Sequence, residues 1–226
     1  VEEEQLILRK LSNEVGNHFE SLQSLGEIML HLELALVRAR YANWLGGVAP
    51  VIDDGSNAIL SIQNFRHPLL VWKEKVEEGH SVVPISLEIG SQLKVIAITG
   101  PNTGGKTVSL KSLGLAVLMA RAGMLLPCTG NPNIPWCNQV LADIGDEQSL
   151  QQNLSTFSGH ITRITRILKS IEINPGPVIV LLDEVGAGTD PSEGTALAIA
   201  LLKTFANRVR LTIATTHFGE LKALKY

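Results

Sequence analysis

The residues Gly100-Pro101-Asn102-Thr103-Gly104-Gly105-Lys106-Thr107 have the types and spacing that hold the phosphates of a nucleotide. They fit G-x-x-x-x-G-K-[ST] without a mismatch, between an apolar run, Lys94 to Thr99, and a helix-like stretch, Val108 to Ala122. In the order strand, glycine loop, helix, backbone N–H groups converge on phosphate oxygens and the helix N-terminus adds partial positive charge. Lys106 would reach the β- and γ-phosphates, and Thr107 would place its hydroxyl on Mg²⁺. A second element, Val178-Ile-Val-Leu-Leu-Asp183-Glu184, is an apolar strand that ends in two carboxylates. Asp183 would hold Mg²⁺ through water, opposite Thr107. Because side chains alternate along a strand, Glu184 is expected to point elsewhere, at a water in line with the γ-phosphate, as general base. A third element, Leu211-Thr-Ile-Ala-Thr-Thr216-His217, ends a strand in a histidine that would contact the γ-phosphate or orient the attacking water.

Two further segments have both a structural and a chemical reading. Gly186-Ala-Gly-Thr-Asp190-Pro191 follows the acidic pair, and its glycines suggest a tight backbone near the nucleotide. Asp190 is placed to cap a helix that starts near Pro191 and Ser192. Asp143-Ile-Gly-Asp146-Glu147-Gln148 leads to Leu154-Ser155-Thr156-Phe157-Ser158-Gly159-His160. Ser155, Thr156 and Ser158 are good N-cap residues, and a helix N-terminus is also an anion site. In a symmetric dimer this helix would close over the partner's γ-phosphate.

The elements that must carry these residues divide near residue 55. Residues 1–55 read as helix, with Leu8, Leu11, Val15, Leu22, Leu25, Met29, Leu32, Leu36 and Ala39 stepping by three and four. Gly16 with Asn17, and Gly26, are the expected breaks. The stripe is expected to pack on other helices, and a helical lead-in of this kind suggests a piece of a larger protein. From residue 56 to 226 short apolar runs alternate with helices. Strands are expected at Ala58–Gln63, Val82–Leu87, Lys94–Thr99, Gln139–Asp143, Val178–Leu182 and Leu211–Thr215, and helices at Lys106–Ala122, Gly159–Ile171 and Ser192–Ala206. Nearly all-apolar strands fit a mostly parallel sheet covered on both faces, so the predicted class is α/β, a P-loop NTPase domain after a helical segment.

Composition bounds the rest. The 226 residues are 45% hydrophobic and 18% charged, with net charge −3, so no overall basic field draws in nucleic acid. Two cysteines, Cys128 and Cys137, lie outside any C-x-x-C pair, and reduced thiols in a cytoplasmic protein are expected. Apolar stretches stay well short of about 18 residues, so no membrane partner is expected.

Taken together, Gly100–Thr107, Asp143 to Ser149, Ser155 to Ser158, Leu182 to Pro191 and Thr216-His217-Phe218-Gly-Glu-Leu-Lys222 resemble the MutS family of ATPases, over most of the chain. His67-Pro68 adds to the likeness. Gly186-Ala-Gly-Thr-Asp-Pro191 replaces the G-R-G-T-S-T usual in mismatch-recognising members, so the chain looks most like the second type of bacterial MutS paralogue. The resemblance implies ATP and Mg²⁺ as cofactors and a homodimer with two composite sites. Each site would use Gly100–Thr107, Asp183, Glu184 and His217 of one subunit and Ser155 or Thr156 of the other. Residues 1–55 would be the end of lever helices and the core to which they connect. It further implies branched or recombining DNA, the ribosome, or both as partners, reached through regions outside these residues, and suppression of recombination as an outcome. Full-length members carry a clamp upstream and a C-terminal Smr nuclease domain downstream. The alternative, the motor subunit of an ABC-type transporter, would need an L-S-G-G-Q-like signature where this chain has Leu154-Ser155-Thr156-Phe157. A small-molecule phosphotransferase would leave Glu184 and His217 idle.

Overall fold

The computed structural model describes residues 2–77, 81–101, 104–145 and 153–219, with the backbone alone for 153–156. Contacts divide the chain between Trp44 and Leu45. The first unit is helical, α1 (Glu2–Asn17) and α2 (Phe19–Leu45). The break falls at His18, whose N–H donates to the Val15 carbonyl at 3.1 Å before the ladder resumes from Leu22 N to His18 O at 2.9 Å. The break expected at Gly26 is absent, and α2 runs through it. One glycine costs a helix only about 1 kcal/mol relative to alanine, which a 27-residue segment rich in leucine absorbs. The apolar stripe lies in the open, with Leu8 62%, Leu25 52% and Leu32 68% exposed.

The second unit contains two four-stranded sheets. Its elements in order are β1 (Val51–Asp53), β2 (Leu60–Phe65), α3 (Pro68–Val76), β3 (Ile85–Ile89), β4 (Val95–Thr99), α4 (Lys106–Arg121), β5 (Thr129–Pro135), β6 (Gln139–Asp143), α5 (Asn153–Ile173), β7 (Val178–Leu182), α6 (Pro191–Arg208) and β8 (Leu211–Thr216). The first sheet, in the order β1-β5-β2-β3, is mixed: β1 runs parallel to β5, and β2 antiparallel to both β5 and β3. β1, α3 and β5 are not among the elements expected from the sequence. β5 reads Thr-Gly-Asn-Pro-Asn-Ile-Pro, a loop composition, and is held as a strand by partners on both sides.

The second sheet, in the order β4-β8-β7-β6, is wholly parallel among the described strands. Every residue of β7 and β8 is buried between two layers of helices, which the unbroken apolar sequence of β7 requires and β8, with three threonines, shares. Alternation sorts their side chains. Val178, Val180 and Leu182 join Ile164, Ile167 and Ile171 of α5 and Ala198, Leu202 and Phe205 of α6 in one core. Leu181 faces the other way, so close to α4 that a Cβ on Gly114 would lie 2.4 Å from its Cδ1. Full burial of a Leu or Phe side chain contributes about 1.5–3 kcal/mol, so this double-sided core fixes β7 and β8 as the rigid centre.

Register then lines up the strand ends. Asp143 pairs with Leu182, Leu182 with Ala214, and Thr99 with Thr216. The carboxyl ends of all four strands therefore open on one edge, the edge at which parallel α/β sheets present ligands. Cys128 and Cys137 are free and buried, and burial pushes the Cys128 thiol up to about 11. Among the described residues no helix is long and apolar enough to cross a membrane.

Candidate functional site

Four segments deliver polar side chains to that edge. Gly105 takes φ +73°, a left-handed conformation that suits glycine, and turns the loop directly into α4. Lys106 thus opens α4 with its side chain folded under the loop, 5% exposed. Its Nζ donates to the Gly100 carbonyl at 2.6 Å and lies 3.3 Å from His217 Nδ1. Thr107, one residue on, donates from Oγ1 to Asp183 Oδ1 at 3.2 Å.

Asp183 leaves β7 on the α4 side of the sheet and is 5% exposed. Its N–H donates to the Asp143 carbonyl at 2.8 Å, and its Oδ1 accepts from Thr215 Oγ1 at 2.5 Å. Glu184 diverges from it, as expected, but for a different reason. The strand ends at Leu182, and Glu184 takes φ +50°, a left-handed turn rather than one more step of pleat. A non-glycine residue held there costs on the order of 1–3 kcal/mol, a strain met mostly at functional sites. The turn brings Glu184 Oε1 to 3.2 Å from His217 Nε2. An imidazole with its proton on Nε2 donates to Glu184 and accepts from Lys106 at Nδ1, satisfying both contacts. Lys106, His217 and Glu184 therefore form one contact chain and Thr107 with Asp183 a second, a set of five residues joined along the backbone at 106–107 and 183–184.

Around this set the loop 186–188 packs against the first turn of α6 with no side chain between. A Cβ on Gly194 would stand 2.3 Å from the Gly186 carbonyl oxygen and 3.0 Å from Phe218 Cζ. Gly194→Ala is therefore expected to cost about 1–3 kcal/mol of overpacking. That lowers the melting temperature of the nucleotide-free chain by roughly 2–10 °C in scanning calorimetry, and an unchanged melting temperature would mean that the loop yields without cost. Asp190 caps α6, accepting from Ser192 Oγ at 2.5 Å and Ser192 N at 2.9 Å. The Ser192 hydroxyl and amide hold the Asp190 carboxyl below its ordinary range.

A second cluster ties α5 to the end of β6. The Asp143 carboxylate, 3% exposed, meets His160 Nδ1 at 2.7 Å on one oxygen and Arg163 Nε on the other. Sequence reading took Asp143 as a strand end and gave Arg163 no role, because their partnership spans residues that only the fold brings together. α5 begins at Asn153, ahead of the Gly159 start expected from sequence. Asn102 and Thr103, the run Asp146-Glu147-Gln148-Ser149, the side chains of Ser155 and Thr156, and Glu220 to Tyr226 lie outside the described residues.

As a candidate cation site, Thr107 and Asp183 offer one hydroxyl and one buried carboxylate at a common point. Among the described residues no cluster of three His, Cys, Asp or Glu could hold a metal by itself. That donor set fits Mg²⁺, which keeps water and phosphate oxygens and takes few protein ligands.

A parallel α/β sheet with this set at its carboxyl edge defines the class, and the chain belongs to the MutS family: the model of MutS domain V matches residues 96–226. Within the family its similarity is to the second-type paralogue. It is 54% identical over 99% of its length to Endonuclease MutS2 of Synechocystis sp., covering 29% of that protein. It is 44% identical over 96% of its length to Endonuclease MutS2 of Lachnospira eligens and 45% over 97% to that of Halothermothrix orenii, covering 26% of each. The chain thus spans little more than a quarter of the curated relatives it matches.

Proposed function

We propose that this chain is the ATP-binding, ATP-hydrolysing dimerisation domain of a MutS-type protein that acts on nucleic acid. The observation that carries this reading is two contact groups side by side at the sheet edge, Lys106–His217–Glu184 at 3.3 and 3.2 Å and Thr107–Asp183 at 3.2 Å. In it, Gly100–Thr107 is a phosphate loop whose backbone amides and Lys106 bind the ATP phosphates. Thr107 and Asp183 would hold Mg²⁺, which would supply positive charge against the phosphates. Glu184 takes a proton from the attacking water, and His217 either orients that water through its Nε2–H contact with Glu184 or turns to contact the γ-phosphate.

Ser155 and Thr156, at the start of α5, reach the partner's ATP in a homodimer with two composite sites. ATP closes the dimer, and hydrolysis reopens it and moves the helices of residues 1–55. The relatives are named endonucleases. On our reading the nucleic-acid partner, branched or recombining DNA or the ribosome, is engaged by parts of the protein outside these residues, and so is any cleavage. Membership of the MutS family sets aside the transporter-motor alternative.

Sedimentation of Glu184→Gln in the full chain, with Mg²⁺ and with or without ATP, tests the dimer. A shift from monomer to dimer that needs ATP is expected. A monomer that still binds ATP would remove the trans role of Ser155 and Thr156.

A further inference from the structure

Sequence reading took Thr215 only as the last residue of a buried strand. In the fold its hydroxyl stands between the two acidic residues of the site. Thr215 is 0% exposed. Pairing of Leu182 with Ala214 carries one step further to put Asp183 opposite Thr215. The Thr215 hydroxyl donates to Asp183 Oδ1 at 2.5 Å and accepts from the Glu184 N–H at 2.8 Å. Its backbone carbonyl accepts from the Val185 N–H at 3.0 Å. One residue thus orients the Asp183 carboxylate and anchors both amides that flank the left-handed turn at Glu184.

We propose that Thr215 is a positioning residue for the hydrolysis reaction: its hydroxyl locks the Glu184 turn and sets the Asp183 carboxylate against Thr107. The inference rests on the ATPase reading above. A left-handed non-glycine residue persists only where its surroundings over-determine it, and the Thr215 hydroxyl is the side-chain partner of the Glu184 amide. Without that hydroxyl the Glu184 carboxylate is free to relax away from its position. Displacement of a catalytic group by about 1 Å can cost on the order of a hundredfold in rate.

The strand supplies its own control. Thr212, on the same strand, is also 0% exposed, yet among the described residues its hydroxyl has no hydrogen-bond partner. Thr→Val removes a hydroxyl at nearly constant volume in both places. Thr215→Val is expected to lower kcat roughly ten- to hundredfold, with ATP affinity close to the parent's. Thr215→Ser is expected to restore most of the rate, and Thr212→Val to leave it within about twofold of the parent. In the nucleotide-free protein, amide exchange at Glu184 should speed up in Thr215→Val and return in Thr215→Ser. If valine prevents folding, Thr215→Ala carries the same expectations, and loss of the fold in both would assign the residue to packing and overturn the proposal. So would a Thr215→Val rate equal to that of Thr212→Val while Glu184→Gln is inactive. If Glu184→Gln itself keeps its turnover, it is the ATPase reading that has failed.

Discussion

Glu184→Gln is expected to bind ATP with near-parental affinity and to hydrolyse it at least about a hundredfold more slowly. The substitution preserves volume and leaves an amide able to meet His217 Nε2, now 3.2 Å from Glu184 Oε1, so the site keeps its shape. What it removes is a base able to accept a proton from water. The left-handed turn matters here, because it aims Glu184 away from Asp183 and leaves the Thr107 contact with Asp183 undisturbed. Single-turnover hydrolysis beside equilibrium ATP binding separates the two quantities, and near-normal turnover would sink the assignment of Glu184.

Lys106→Ala is expected to weaken ATP binding by roughly ten- to hundredfold or more, since a charge-assisted hydrogen bond contributes about 1.5–3 kcal/mol and each 1.4 kcal/mol is tenfold. Lys106 is 5% exposed and already held at the loop through the Gly100 carbonyl at 2.6 Å. On the phosphate-loop reading its ammonium would exchange a carbonyl and an imidazole for phosphate oxygens with little rearrangement. ATP should raise the melting temperature of the parent by mass action and leave that of Lys106→Ala nearly unchanged. Unaltered affinity together with unaltered turnover would contradict the phosphate-loop reading.

The parts of this site that were legible in the sequence are those written as local patterns. Val178–Leu182 and Leu211–Thr216 are apolar enough to announce buried parallel strands, and Gly105-Lys106-Thr107 announces the helix that follows them in space. Asp190, ahead of Pro191 and Ser192, was recognisable as a cap and is one. What stayed hidden depends on register and on distant pairing. Thr215 lies opposite Asp183 because of strand alignment, which no single segment encodes. The Asp143–His160–Arg163 cluster joins a strand end to a helix face. Glu184 was expected to diverge by pleat alternation and does so by a turn, because the chain must leave the sheet where the loop of Gly186 begins. β5 was hidden for the opposite reason: its prolines and asparagines speak for a loop, and its neighbours make it a strand.

The end of β8 concentrates unlike demands in adjacent residues. Thr215 serves two acidic neighbours, Thr216 Oγ1 accepts from Phe218 N at 3.1 Å, His217 bridges Lys106 and Glu184, and Phe218 lies against Gly186 and Gly194. Each position answers to a different constraint, so one replacement cannot be compensated by changing the residue beside it. A saturation library across residues 210–219 should therefore fall into two regimes, with Thr212 accepting several small apolar substitutes and the block from Thr215 to Phe218 accepting almost none. Compensating changes would arise in Asp183, Gly186 or Gly194, far away in the sequence, so this strand tip can adapt only in concert with the acidic turn and the first turn of α6.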